Sequence, residues 1–123
     1  MKISLTDAEW KLMKLLWQSA PRTITELTAA LAGQTGWDKH TVITLLGRME
    51  RKGAVRYTQE GRAKQFYPTL PREEAAADEA ERFLGRVFDG RLGLMVNTMV
   101  RRNGLSAAEI EELYAILKEA EKP

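Results

Sequence analysis

A mainly α protein with one small β-hairpin is what this 123-residue sequence predicts: a helix–helix–helix–hairpin unit followed by a helical tail. Three observations carry that expectation. The tetrapeptides TDAE, TITE and SAAE each have the pattern of a capping box and announce three helix starts. A basic amphipathic stretch closes on Gly53 and gives way at once to an alternating segment around Gly61. From Arg72 onward, apolar residues recur at helical spacing for roughly fifty positions.

The first helix is expected from Asp7 to Ser19, ending before Pro21, with Thr6 as its cap and Glu9 reaching back to the cap's amide. Its polar stripe is Asp7, Lys11, Lys14 and Gln18. Ala8, Leu12, Leu15 and Leu16 lie on one side of that stripe, Trp10, Met13 and Trp17 on the other, so the helix should be packed on two sides. A second, shorter helix should follow the Thr23 cap from Ile24 to Ala32 and stop at Gly33. The third should take Asp38 as N-cap and Gly53 as its closing glycine.

Next, Val55, Tyr57 and Gln59 alternate with Arg56, Thr58 and Glu60; Gly61 marks a turn, and Lys64 to Tyr67 returns as a second strand that Pro68 ends. Helix, helix, helix, hairpin is the order of a winged helix-turn-helix, here expected over residues 1–70. Residues 71–123 read as three further helices punctuated by Gly90 and Gly104. Ala76, Ala80, Phe83, Leu84, Val87 and Phe88 line the first, Leu92, Met95, Val96 and Met99 the second, and Ile110, Leu113, Tyr114 and Leu117 the third. A tail this short with this much apolar surface cannot close a core of its own, so a two-fold homodimer is expected.

Charge is segregated along the chain. The net charge is +2, but residues 39–64 carry +5 and residues 65–123 carry −3, which suggests that the middle meets a polyanion. The chain has no cysteine, which excludes disulfides and thiolate metal sites. His40 is the sole histidine and has no ligand-type neighbours at metal spacing, so no metal or other cofactor is expected. No phosphate-binding glycine loop is present, and one histidine cannot be placed in a nucleophilic triad; catalysis is not expected. No run approaches a membrane span or the core of a signal peptide, so the expectation is a soluble, cytoplasmic protein without membrane insertion.

On a helical wheel of residues 38–52, Val42, Leu45, Leu46 and Met49 fall on one arc. His40, Thr44, Gly47, Arg48 and Arg51 fall opposite, with Thr41 at the border and Lys39 opening the helix. That face is basic, hydrogen-bonding and short-chained, which suits a major groove, and Gly47 suggests close approach of another surface. Arg62 at the hairpin turn and Lys64 beyond it are expected to point away from the sheet toward phosphates. A winged-helix module for an acidic protein partner, or a DNA-binding regulator with a small-ligand pocket, are the alternative readings.

The stretches ISLTDAEWKLMKLLW, TGWDKHTVITLLGRMERKGAV and GLSAAEIEELYAIL together resemble the penicillinase-repressor (BlaI/MecI/CopY) family of bacterial transcriptional repressors, from Ile3 to about Lys118. The resemblance implies an N-terminal winged-helix DNA-binding domain, a helical dimerisation domain, and a homodimer on a pseudo-palindromic operator that controls resistance or stress genes. By position it implies Thr41, Thr44 and Arg48 as helix contacts to DNA, with Arg62 and Lys64 in the wing. It places Phe83, Leu84, Val87, Phe88, Leu92, Met95, Val96 and Met99 in the dimer interface; the spacing of the last helix adds Leu113 and Leu117. His40 stands where the family tends to have lysine, and Ile43 where it tends to have a basic residue. Thr98-Met99 occupies the place of the Asn-Phe bond cleaved in antibiotic-sensing members, and the cysteine pairs of the copper-responsive branch are absent. The operator, the inducing signal and any inactivating protease or sensor are left open.

Overall fold

The computed structural model describes residues 2–123. Its elements are α1 (Asp7–Gln18), α2 (Ile24–Thr35), α3 (Lys39–Lys52), β1 (Val55–Glu60), β2 (Ala63–Pro68), α4 (Arg72–Phe88), α5 (Leu92–Asn103) and α6 (Ala107–Ala120). The chain is therefore mostly helical with one antiparallel two-stranded hairpin, in the expected order. It divides into two compact units, one through Ala80 and the other Glu81–Pro123. Where the sequence suggests a boundary after Leu70, the first unit takes in the opening turns of α4, whose Ala75 is buried with the core.

All three capping boxes form: the Thr6, Thr23 and Ser106 hydroxyls accept from the amides of Glu9, Glu26 and Glu109, and each glutamate accepts from its cap's amide in return. The end of α2 differs from expectation. The helix runs through Gly33 and closes on Gly36, which takes the left-handed conformation (φ 69°). The Thr35 hydroxyl donates to Leu31 O at 3.0 Å and accepts from the Trp37 amide at 3.1 Å, so the closing turn is stitched from within. α3 begins and ends as expected, capped by Asp38 and closed by left-handed Gly53 (φ 84°).

The core of the first unit is built from Leu12, Met13 and Leu16 of α1, Leu27 and Leu31 of α2, and Val42, Leu45, Leu46 and Met49 of α3, closed by Val55 and Phe66 of the hairpin. α1 is packed on two sides, as its pattern requires. Trp10 and Trp17 meet edge to face with ring centroids 5.6 Å apart, and the Trp17 indole donates to Leu70 O at 2.8 Å. Trp37 is half-buried against the same core. Arg22 exchanges two backbone hydrogen bonds with Phe66, at 3.2 and 2.9 Å, and so ties the hairpin to the segment that enters α2.

In Glu81–Pro123, by contrast, no residue is buried. Asp89 and Gly90, both with positive φ, turn the chain from α4 to α5, and Gly104 precedes the α6 cap. Among the described residues no helix is long and apolar enough to cross a membrane.

Candidate nucleic-acid interface

α3 is amphipathic, so burying Val42, Leu45, Leu46 and Met49 forces its remaining residues outward. Lys39, His40, Thr44, Arg48 and Arg51 are exposed, and Thr41 is half-buried at the border. Two of the polar residues also serve the helix itself. The Asp38 carboxylate accepts from the Thr41 amide at 2.9 Å, and the Thr41 amide and hydroxyl hold its carboxyl below the usual range. The Thr44 hydroxyl donates to His40 O at 3.0 Å, which leaves its lone pairs facing outward as acceptors.

Gly47 lies on the same side. A Cβ built there would meet the Arg51 guanidinium at 3.6 Å, an ordinary contact with the tip of a flexible side chain. Packing within the chain therefore does not require glycine, although glycine in a helix interior costs about 1 kcal/mol relative to alanine.

The hairpin lies beside this face. Its register pairs Glu60 with Ala63, Gln59 with Lys64 and Tyr57 with Phe66, so Gly61 (φ 78°) and Arg62 form a two-residue turn. Arg62 is exposed at the tip. Lys64 departs from expectation: two residues before buried Phe66, it points to the core side of the hairpin. Its ammonium sits 4.3 Å over the Tyr57 ring, a favourable cation–π position. There it lines a groove of about 450 Å³ with Lys39 and Ile43 of α3, Thr23 and Thr25 at the start of α2, and Arg62. The structure thus gathers Lys39, Arg62 and Lys64 in one groove and strings His40, Thr44, Arg48 and Arg51 along the outward face of α3. Thr25 was not singled out from the sequence; the Thr23 cap is the signal that could have placed it there.

Lys52 is engaged elsewhere. It belongs to the basic run by sequence, but its ammonium donates to Glu9 Oε1 at 2.5 Å and to Ser4 O at 2.9 Å. Glu9 is fully buried; its Oε1 also accepts from the Thr6 amide at 2.8 Å, while Oε2 has no partner among the described residues. Burial pushes the Glu9 carboxyl up, but the Lys52 ammonium and the Thr6 amide and hydroxyl bring it down further, and it settles below 4.5. The last residue of α3 is therefore clamped to the cap of α1.

The profile of the penicillinase repressor family matches residues 5–119. The chain belongs to that family. The family is one of transcriptional repressors, not of enzymes. The penicillinase repressor of Bacillus licheniformis is 32% identical over 115 residues, which cover 94% of this chain and 90% of that protein. The methicillin resistance regulatory protein MecI of Staphylococcus aureus is 26% identical over 113 residues, 92% of each chain. Among solved structures, monomeric BlaI of Bacillus licheniformis in complex with the blaP half-operator superposes with a TM-score of 0.51 at 28% identity, covering 58% of this chain and 87% of that one.

Proposed function

We propose that this penicillinase-repressor family member is a sequence-specific transcriptional repressor that binds double-stranded DNA as a homodimer on a pseudo-palindromic operator and controls resistance or stress genes. The observation that carries the reading is the outward face of α3, exposed, basic and continuous with the groove that leads to the hairpin tip. The likeness to a BlaI structure with its half-operator supports the same reading. In it, α3 enters the major groove. Thr44 and Arg48 address base edges, Thr41 and His40 flank them, and Lys39, Arg51, Arg62 and Lys64 meet phosphates.

Homodimerisation is supported by the second unit. Phe83, Val87, Leu92, Val96, Met99, Leu113 and Leu117 are all exposed in the isolated chain, and Leu84, Phe88 and Met95 half-exposed. Apolar helical surface on this scale is stable when a second copy covers it. The functional division then assigns residues 1–70 to DNA and the helices from residue 71 onward to association. A two-fold pair of recognition helices matches half-sites about one helical turn apart, and occupancy of such a site blocks transcription.

The experiment that tests this is binding to the promoter region upstream of the chain's own gene, titrated across salt with random duplex as competitor. A specific complex of two protomers whose affinity falls steeply with salt is expected. Equal affinity for that promoter and for random DNA would count against an autoregulated operator, and salt-insensitive binding would count against a DNA-reading surface.

A further inference from the structure

Ile43 is 49% exposed and Tyr57 36%, and they are the large hydrophobics left exposed among the described residues of the unit through Ala80. Both line one small recess of about 110 Å³, together with Gly47, Glu50 and Lys64. Neighbouring Val42 and Leu46 of the same helix are hidden in the core. Ile43 instead holds branched apolar surface in water amid a basic face, where every polar neighbour would keep its hydration more easily beside a polar residue. Gly47, one turn further on, has no side chain beside it, and the tip of the flexible Arg51 side chain is the one contact a Cβ there would make, at 3.6 Å. Ile43, Gly47 and Tyr57 form a largely apolar ledge, with the Glu50 carboxylate and the Lys64 ammonium at its edges and the cations Lys39 and Arg62 around the adjoining groove.

A duplex has little to offer such a ledge. Its phosphates suit the cations, and guanine, cytosine and adenine present donors and acceptors in the major groove that an isoleucine cannot satisfy. The one apolar substituent displayed there is the thymine 5-methyl group. We propose that Ile43 is a specificity-determining residue that packs against the 5-methyl group of a thymine in each half-site, with Gly47 admitting the base edge. This rests on the DNA-reading function proposed above and names a recognised group within it.

The test begins with full-length protein and a pool of randomised duplexes. The selected duplex is resynthesised with each thymine replaced in turn by deoxyuridine, which removes one methyl group and nothing else. One thymine per half-site is expected at which this weakens wild-type binding about fourfold, the worth of one methyl withdrawn from water. At that position Ile43→Ala should bind thymine and uracil duplexes equally, while its preferences elsewhere persist. Ile43→Val should give an intermediate ratio, and it carries the test if thermal melting shows that the alanine variant is unfolded. An unchanged thymine-to-uracil ratio in these variants would overturn the proposal, as would a selected half-site with no methyl-sensitive thymine. A pool that yields no preferred duplex would overturn the DNA-reading function itself, and this inference with it.

Discussion

Among the described residues, fifteen hydrophobic side chains are buried, and all lie between Leu5 and Ala75; between Glu81 and Pro123 there is none. The two regions have similar ingredients: short helices, capping boxes and apolar residues at i, i+3 and i+4. They differ in what the apolar stripes face. Three helices and a hairpin supply enough surfaces for α1, α2 and α3 to bury one another, whereas in the second unit apolar side chains such as Leu92, Met99 and Leu117 remain exposed. The lesson is that amphipathic pattern gives helices in both places, while a core requires a second layer, which the first unit holds within one chain.

The sharpest way to break this contrast is Val96→Asp. If the second unit finds its core in another copy, a carboxylate there costs at least about 3 kcal/mol of association, more than a hundredfold, and sedimentation should show monomers. A variant that stays a tight dimer would remove Val96 from the seam. Leu46→Ala should act in the opposite manner. It opens a cavity in the first unit and lowers its stability by about 3 kcal/mol, read from the denaturation midpoint, with the sedimentation coefficient unchanged.

Lys52→Met should cost about 2 kcal/mol, because it strands the buried Glu9 carboxylate while most of the lost ammonium was itself partly solvated. The sign of its pH dependence follows from Glu9. The folded carboxyl lies below the ordinary 4.5, so its contribution is present above that value and fades as pH falls through the lowered one. Wild-type stability should therefore drop below about pH 4.5, and the drop should shrink in Lys52→Met, whose Glu9 feels burial without its cation. Since Lys52 is committed internally, the salt slope of DNA binding should not change in that variant. Arg48→Ala gives the most selective effect: a loss of about 1 kcal/mol or somewhat more on the preferred duplex against little on random DNA. Equal losses on both would mean that Arg48 touches phosphate alone.

What was legible in the sequence was what is local. A capping box spans four residues and carries its own geometry, so all three were visible, and so were Asp38 and Gly53 at the ends of α3. The end of α2 was not, because the segment offers two glycines three residues apart. The Thr35 bridge from Leu31 to Trp37 selects the second, and it depends on where buried Leu31 anchors the helix. The face of Lys64 follows from register, which a two-residue turn and the position of Phe66 could have supplied. The Glu9–Lys52 clamp joins positions 43 residues apart and depends on how α1 meets α3, which no local pattern encodes. Around the candidate interface the charges were readable and their partners were not: Lys52 is held by Glu9 and Lys64 lies over Tyr57.

The three tryptophans, Trp10, Trp17 and Trp37, all lie in the unit that carries the core, and Glu81–Pro123 has none. Indole fluorescence is therefore a private channel for the first unit, whereas far-ultraviolet circular dichroism sums the helices of both. Recorded together during unfolding, the two signals would separate if the halves melt in turn and coincide if they melt as one. The untouched sequence thus carries the optical label needed to ask whether the units share a single cooperative transition.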